Sequence, residues 1–173
     1  MDRRTFLGAV IGIAPVALGG CSLEAQQPGS RRAANDAAGF EVTRSEADWR
    51  KVLTPAQFAI LRGHGTERAG TSPLNAEHRQ GTYQCAGCNL PVYSSRAKFE
   101  SGTGWPSFTA PLENAIGTSE DRSLFGLRIE VHCRRCGGHL GHVFDDGPPP
   151  TGKRYCMNGD ALVFTPTPQG ASR

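Results

Sequence analysis

The sequence predicts a mainly β protein, an antiparallel β domain preceded by two short helices. The chain of 173 residues carries 22 Gly and 12 Pro, a composition that favours turns between short strands over long helices. Its clearest periodicity is two. In Leu127-Arg-Ile-Glu-Val-His-Cys133, Leu127, Ile129, Val131 and Cys133 point one way, and Arg128, Glu130 and His132 the other. Helical signals are confined to the stretch between Ser45 and Gly63.

The first 21 residues read as an address rather than as part of the fold. Arg3-Arg4-Thr5-Phe6-Leu7 resembles a twin-arginine export signal, and the apolar run from Leu7 to Leu18 is short for a bilayer span. Leu18-Gly19-Gly20-Cys21 resembles a lipobox, in which Cys21 is acylated and becomes the new N-terminus. The plainer expectation is a cysteine in a leader that is cut away. Residues 22–39 are small and polar with no apolar period, which reads as a flexible tether. The expected domain spans 40–168, with a short tail at 169–173. A net charge of +3 gives no argument for nucleic acid or an anionic surface as partner.

Within the domain, Ser45-Glu-Ala-Asp48 predicts a capping box, and Trp49 and Leu53 then lie one helical turn apart. Trp49 is expected in the core. Thr54-Pro55 opens a second helix with Pro at its first position, ending near Gly63. A loop runs on to Gly81. Thr82–Cys85, Leu90–Tyr93 and Ala161–Phe164 read as further short strands, and there are no repeats.

Four of the six cysteines form two CxxC pairs, Cys85-Ala-Gly-Cys88 and Cys133-Arg-Arg-Cys136. Two residues between cysteines let a tight turn present both thiolates to one metal, and two such turns complete a closed tetrahedral site. Gly87, Gly137 and Gly138 suit the backbone of these turns. Disulfides are the competing expectation in an exported chain. Against them, a redox CxxC usually sits at a helix N-terminus, whereas here extended and glycine-rich segments follow. One structural zinc is therefore expected.

Cys156 stands alone in Gly152-Lys-Arg-Tyr-Cys-Met-Asn158. If this stretch is extended, Arg154, Cys156 and Asn158 share a face. A guanidinium two residues from a thiol favours the nucleophilic thiolate, and the Asn158 amide can donate to a substrate oxygen. His139 and His142 lie beside the second CxxC turn, which would hold them rigidly enough for proton transfer. His64, His78 and His132 read as ordinary, satisfied histidines. Trp105, on the glycine-flanked stretch Phe99-Glu-Ser-Gly-Thr-Gly-Trp-Pro-Ser-Phe108, can wall a pocket or pack in the core.

KFESGTGWPSF, CGGHLGHVFDDGPPPTGKRYCMN and the two CxxC pairs together resemble the type B methionine sulfoxide reductases, from about Ser45 to Pro166. The resemblance implies two antiparallel sheets, a structural zinc on Cys85, Cys88, Cys133 and Cys136, and reduction of the R epimer of methionine sulfoxide in proteins. It implies Cys156 as nucleophile, with His139, His142, Arg154 and Asn158 as polar partners. His142 is preferred over His139 as proton donor. Trp105 and Phe108 are then expected at the substrate, with Asp146 as a supporting carboxylate. The implied partners are oxidised proteins and an external reductant, thioredoxin-like or a small thiol. One departure stands out: many members carry a resolving cysteine where this chain has Thr103. A zinc-dependent binding module, or a thiol–disulfide oxidoreductase using the CxxC pairs, are the alternatives.

Overall fold

The computed structural model describes residues 39–123 and 126–168. The expected signal, Cys21, nearly all of the tether and the tail lie outside the described residues. No helix among the described residues is long and apolar enough to cross a membrane.

Among the described residues two short helices come first, α1 (Glu46–Val52) and α2 (Pro55–Leu61). Ser45 caps α1 by accepting from Asp48 N at 3.1 Å. Its hydroxyl then donates to Asp48 Oδ2 at 2.6 Å. The reciprocal capping box forms one helix later, where Thr54 Oγ1 accepts from Gln57 N and Gln57 Oε1 accepts from Thr54 N. A helix of two turns has little stability of its own, and tertiary burial supplies the rest. Trp49, Phe58, Ile60 and Leu61 are buried.

Among the described residues nine strands follow: β1 (Gly81–Cys85), β2 (Pro91–Ser94), β3 (Lys98–Phe99), β4 (Ser107–Phe108), β5 (Ile116–Asp121), β6 (Arg128–Cys133), β7 (His139–Phe144), β8 (Arg154–Met157) and β9 (Leu162–Pro166). They form two antiparallel sheets, one in the order β2-β1-β9 and one in the order β3-β4-β8-β7-β6-β5. The expected mainly β architecture is therefore the one found. The alternation seen in residues 127–133 holds for Val131 and Cys133, which are buried, but Leu127 lies before the strand and is exposed.

The core lies between the sheets. Tyr93 of the small sheet stacks on Phe108 of the large one at 4.3 Å, and Tyr83 meets Phe108 edge-on at 4.9 Å. The Tyr93 hydroxyl, fully buried, donates to Met157 Sδ at 3.1 Å. Each such side chain contributes about 1.5–3 kcal/mol through burial, and these rings lie directly behind the strands that carry the polar residues described below. The helices pack at the other end, on the CxxC turns. Trp49 lies against Gly87, and the Arg62 guanidinium sits over the Trp49 ring and donates to Cys136 O at 3.0 Å.

Candidate active site and metal centre

A single row of directly paired residues crosses the large sheet: Ser119, Glu130, His142, Cys156 and Ser107, on β5, β6, β7, β8 and β4. Residues opposite one another across a ladder share a face of the sheet. The row therefore lays a thiol beside an imidazole, with a carboxylate one strand further on. Arg154, two residues from Cys156, joins the same face, as the spacing predicts.

His139 and His142 are three residues apart, an odd spacing that would put them on opposite faces of a regular strand. A bulge corrects this. Val131 pairs with Gly141 but His132 with His139, so Leu140 is the extra residue on β7. Both rings then meet on one face, 5.2 Å between centroids.

Each imidazole is held by a carboxylate that the sequence reading passed over. His142 Nε2 lies 2.8 Å from Asp121 Oδ2, and Arg128 Nη2 donates to the same oxygen at 2.7 Å. Burial works to raise the pKa of Asp121. Hydrogen bonds from Ser123 and His142 and the charge of Arg128 outweigh it, so the carboxyl stays far below its ordinary range. An ionised carboxylate only accepts, which puts a proton on His142 Nε2 and leaves Nδ1 as an acceptor. His139 Nδ1 likewise donates to Glu130 Oε1 at 2.8 Å. Glu130 is also held ionised against its burial, by His139, His64 and Ser119. His139 Nε2 is buried without a hydrogen-bond partner among the described residues.

The electrostatics at the thiol differ from the sequence expectation. Burial pushes the Cys156 thiol up, and the charge of Arg154, with hydrogen bonds from Thr103, Arg154 and Ser107, pulls it down without winning. Arg154 has other claims on its charge: its Nε and Nη2 donate to Asp146 at 2.8 Å each, and it lies over the Phe144 ring. Burial also lowers the pKa of His142, with Asp121 opposing. Both shifts favour the neutral forms, a thiol beside an uncharged imidazole.

A cavity of about 120 Å³ opens between Thr66, Trp105, His142, Phe144, Cys156, Met157 and Asn158. It is small, suited to the end of a side chain. Trp105 is set by its loop, where Gly102 and Gly104 take positive φ and Gly104 O accepts from Gly70 N and Asn75 Nδ2. Thr103 Oγ1 comes within 4.0 Å of Cys156 Sγ, and Ser101 Oγ bonds both Thr103 Oγ1 and Ser107 Oγ.

The remaining expected residues fall in different places. Asn158 spends one amide hydrogen on Leu140 O at 3.1 Å, and its Oδ1 accepts from Glu67 N at 3.0 Å. It lines the cavity but first joins chain segments. Asp146 is exposed and touches Arg154 rather than the cavity. Phe108, expected at the substrate, is fully buried in the core. The reason is parity: its neighbour Ser107 pairs with Cys156 on the site face, so Phe108 must point the other way. Among the histidines read as ordinary, His78 is exposed and His132 packs on Phe40. His64 instead reaches Glu130 Oε1 at 3.0 Å, with its ring 5.1 Å from that of His139.

The metal centre comes from four sulfurs. Cys85 and Cys136 Sγ are 3.7 Å apart, Cys88 and Cys133 Sγ are 3.5 Å apart, and all four lie within 4.8 Å of one another. Sulfurs at about 2.3 Å from a tetrahedral ion stand roughly 3.8 Å apart, so the cluster fits a metal. None of the described cysteines is in a disulfide. Four thiolates would leave a tetrahedral ion no open position, the arrangement typical of a structural site. It joins the ends of β1 and β6, one from each sheet, and stands three residues from His139.

A family model described as SelR domain matches residues 53–166. Peptide methionine sulfoxide reductase MsrB of Agrobacterium fabrum is 50% identical over 133 residues, covering 76% of this chain and 98% of its own. The protein of that name from Methanosarcina barkeri is 52% identical, over 75% of this chain and 92% of its own. The one from Leptospira interrogans is 50% identical, over 72% and 96%.

Proposed function

The chain belongs to the SelR domain family, and on that premise we propose that it reduces the R epimer of protein-bound methionine sulfoxide, with Cys156 as nucleophile. The observation that carries this reading is the lateral pairing of Cys156 with a carboxylate-held His142 at the mouth of a small cavity walled by Trp105.

The proton count supports it. A sulfoxide oxygen leaves only if it is protonated, and the resting site holds that proton on the thiol. His142 Nδ1, kept as an acceptor by Asp121, takes it as Cys156 attacks the sulfoxide sulfur and returns it to the departing oxygen. His142 is thus base first and then donor, with Arg154 favouring the transient thiolate. Oxygen moves from substrate to Cys156: sulfoxide and thiol become thioether and sulfenic acid. The first external thiol releases water and forms a mixed disulfide; the second restores Cys156. With Thr103 in place of a resolving cysteine, that reductant acts on the sulfenic acid directly.

Zinc is the metal that four thiolates in closed tetrahedral array favour. It would supply rigidity to the β6–β7 turn and no chemistry. As to place, Arg3-Arg4 and the Leu18–Cys21 segment support an exported protein anchored by acylated Cys21, with residues 22–39 as tether. Membrane fractionation checks this: Cys21→Ala is expected to release the protein or leave an uncleaved precursor. Wild-type protein found wholly in the soluble fraction would sink the anchor.

The activity itself is tested by turnover of the two epimers of a peptide methionine sulfoxide. The R epimer is expected to be consumed and the S epimer to survive. Comparable rates for both, or no reaction with either, would overturn the assignment.

A further inference from the structure

Glu67 lies in a connection that no sequence motif marks, yet its groups reach three parts of the site. Its carbonyl accepts from Trp105 Nε1 at 3.2 Å, and its N–H donates to Asn158 Oδ1 at 3.0 Å. Its carboxylate is spent on the backbone beyond Asn158: Gly159 N donates to Oε1 at 2.7 Å and Asp160 N to Oε2 at 2.9 Å. Residues 159–161 form a short turn whose own capping residue, Asn158, makes no side-chain capping bond. Glu67 supplies that cap from far along the chain. The two lengths of chain lie so close that a Cβ on Gly159 would collide with Ser72 Oγ.

These contacts have a direction. The Trp105 ring is a wall of the cavity, and its orientation is set by the one donor it has, the indole N–H. That donor is held by a main-chain carbonyl, and the carbonyl is held by a carboxylate clamped on two backbone N–H groups. Charge-assisted bonds to paired N–H groups are the strong kind, so the clamp is the firmest link in the chain. Asn158, which lines the same cavity, is held by the N–H of the same residue. The place of the Trp105 wall in the cavity therefore depends on Glu67.

We propose that Glu67 is a positioning residue that sets the width of the slot receiving the methyl group on the sulfoxide sulfur, and so the preference for methyl over larger groups. This rests on the proposed sulfoxide reductase activity. Glu67 touches neither the substrate nor the reacting atoms. It acts through Trp105.

The test compares peptides carrying methionine sulfoxide and ethionine sulfoxide, which differ by one methylene at the reacting sulfur. One methylene in a fitted apolar pocket is worth about tenfold or more in kcat/KM, and the wild-type chain is expected to show that preference. Glu67→Gln keeps the length but turns an N–H donor toward a backbone N–H. It is expected to reduce the preference to about twofold, chiefly through the KM of the methionine substrate. In Trp105→Phe, which lacks the indole N–H, Glu67→Gln should change the preference no further. A merely structural Glu67 would slow both substrates by one factor and combine independently with Trp105→Phe. That result overturns the proposal.

Hydrogen exchange of the Trp105 indole N–H gives a second measurement that needs no turnover. It should be protected in the wild-type chain and exposed in Glu67→Gln; a fast-exchanging indole in the wild type also overturns the proposal. Failure of the wild-type chain to reduce either peptide would strike the activity reading and leave the exchange result to judge the clamp.

Discussion

Cys133→Ser is expected to bring the domain to the edge of unfolding. Cys133 is fully buried at the end of β6, with its sulfur 3.5 Å from that of Cys88. A serine hydroxyl does not replace a thiolate on zinc, so the variant loses the metal or holds it weakly. Structural zinc contributes on the order of 10 kcal/mol in small domains, against a total stability of about 5–15 kcal/mol. Without it, three crowded sulfurs remain at the junction of β1 and β6. The helices lose their footing too, since Arg62 donates to Cys136 O and Trp49 lies against Gly87. Each kcal/mol is worth about 2–4 °C in a chain of 173 residues, so a loss on the order of 10 kcal/mol is expected to lower the melting temperature by about 20 °C or more, read by circular dichroism. Metal analysis should give one zinc per wild-type chain and much less in the variant. Unchanged melting with unchanged metal content would show that the cluster holds nothing that matters to the fold.

The elements legible in the sequence are those in which a local pattern carries its own physical cause. Pro55 after Thr54 makes a helix start visible because that position needs no N–H donor, and a capping box does form there. The pairing of cysteines two residues apart makes the metal turns visible. Cys156 and Arg154 share a face because period two is a property of any strand. What stayed hidden depends on register. Asp121 and Glu130 look like ordinary charges on strands, and nothing local reveals that they meet the rings of His142 and His139. The Leu140 bulge is hidden as well, although without it His139 and His142 would part. Phe108 faces the core rather than the substrate because the adjacent Ser107, paired with Cys156, fixes the parity of β4. His64 and Glu67 sit in a loop, where position comes from tertiary bonds and leaves no period to read. The electrostatics at Cys156 are hidden for a related reason: sequence shows the nearby guanidinium but neither the burial nor the bond to Asp146 that shares its charge.

Cys156→Ser is expected to cost about 10⁴-fold or more in turnover, since a hydroxyl in the same place cannot take up the sulfoxide oxygen. Stability and zinc content should be unaffected, because Cys156 is no part of the metal cluster and serine fits its half-buried site. The wild-type pH profile of kcat/KM should complement this result. On the proposed mechanism the reaction needs one proton shared between Cys156 and His142: it should fail at low pH once His142 is protonated, and at high pH once the thiol proton is gone. Burial lowers the first pKa and raises the second, so the plateau should extend beyond that of an unperturbed histidine and cysteine on both sides. The fate of the sulfur completes the test. One turnover without reductant should leave Cys156 heavier by one oxygen, seen by mass spectrometry on the peptide from Arg154 to Asn158. Thr103→Cys should convert that product into a 103–156 disulfide, because Thr103 Oγ1 already lies 4.0 Å from Cys156 Sγ. The same change should slow inactivation by excess oxidant, since a disulfide stops the climb to sulfinic acid. A wild-type chain that instead closed a disulfide between Cys156 and Cys85, Cys88, Cys133 or Cys136 would mean that a metal ligand serves as the resolving thiol. The closed metal site would then have to be given up.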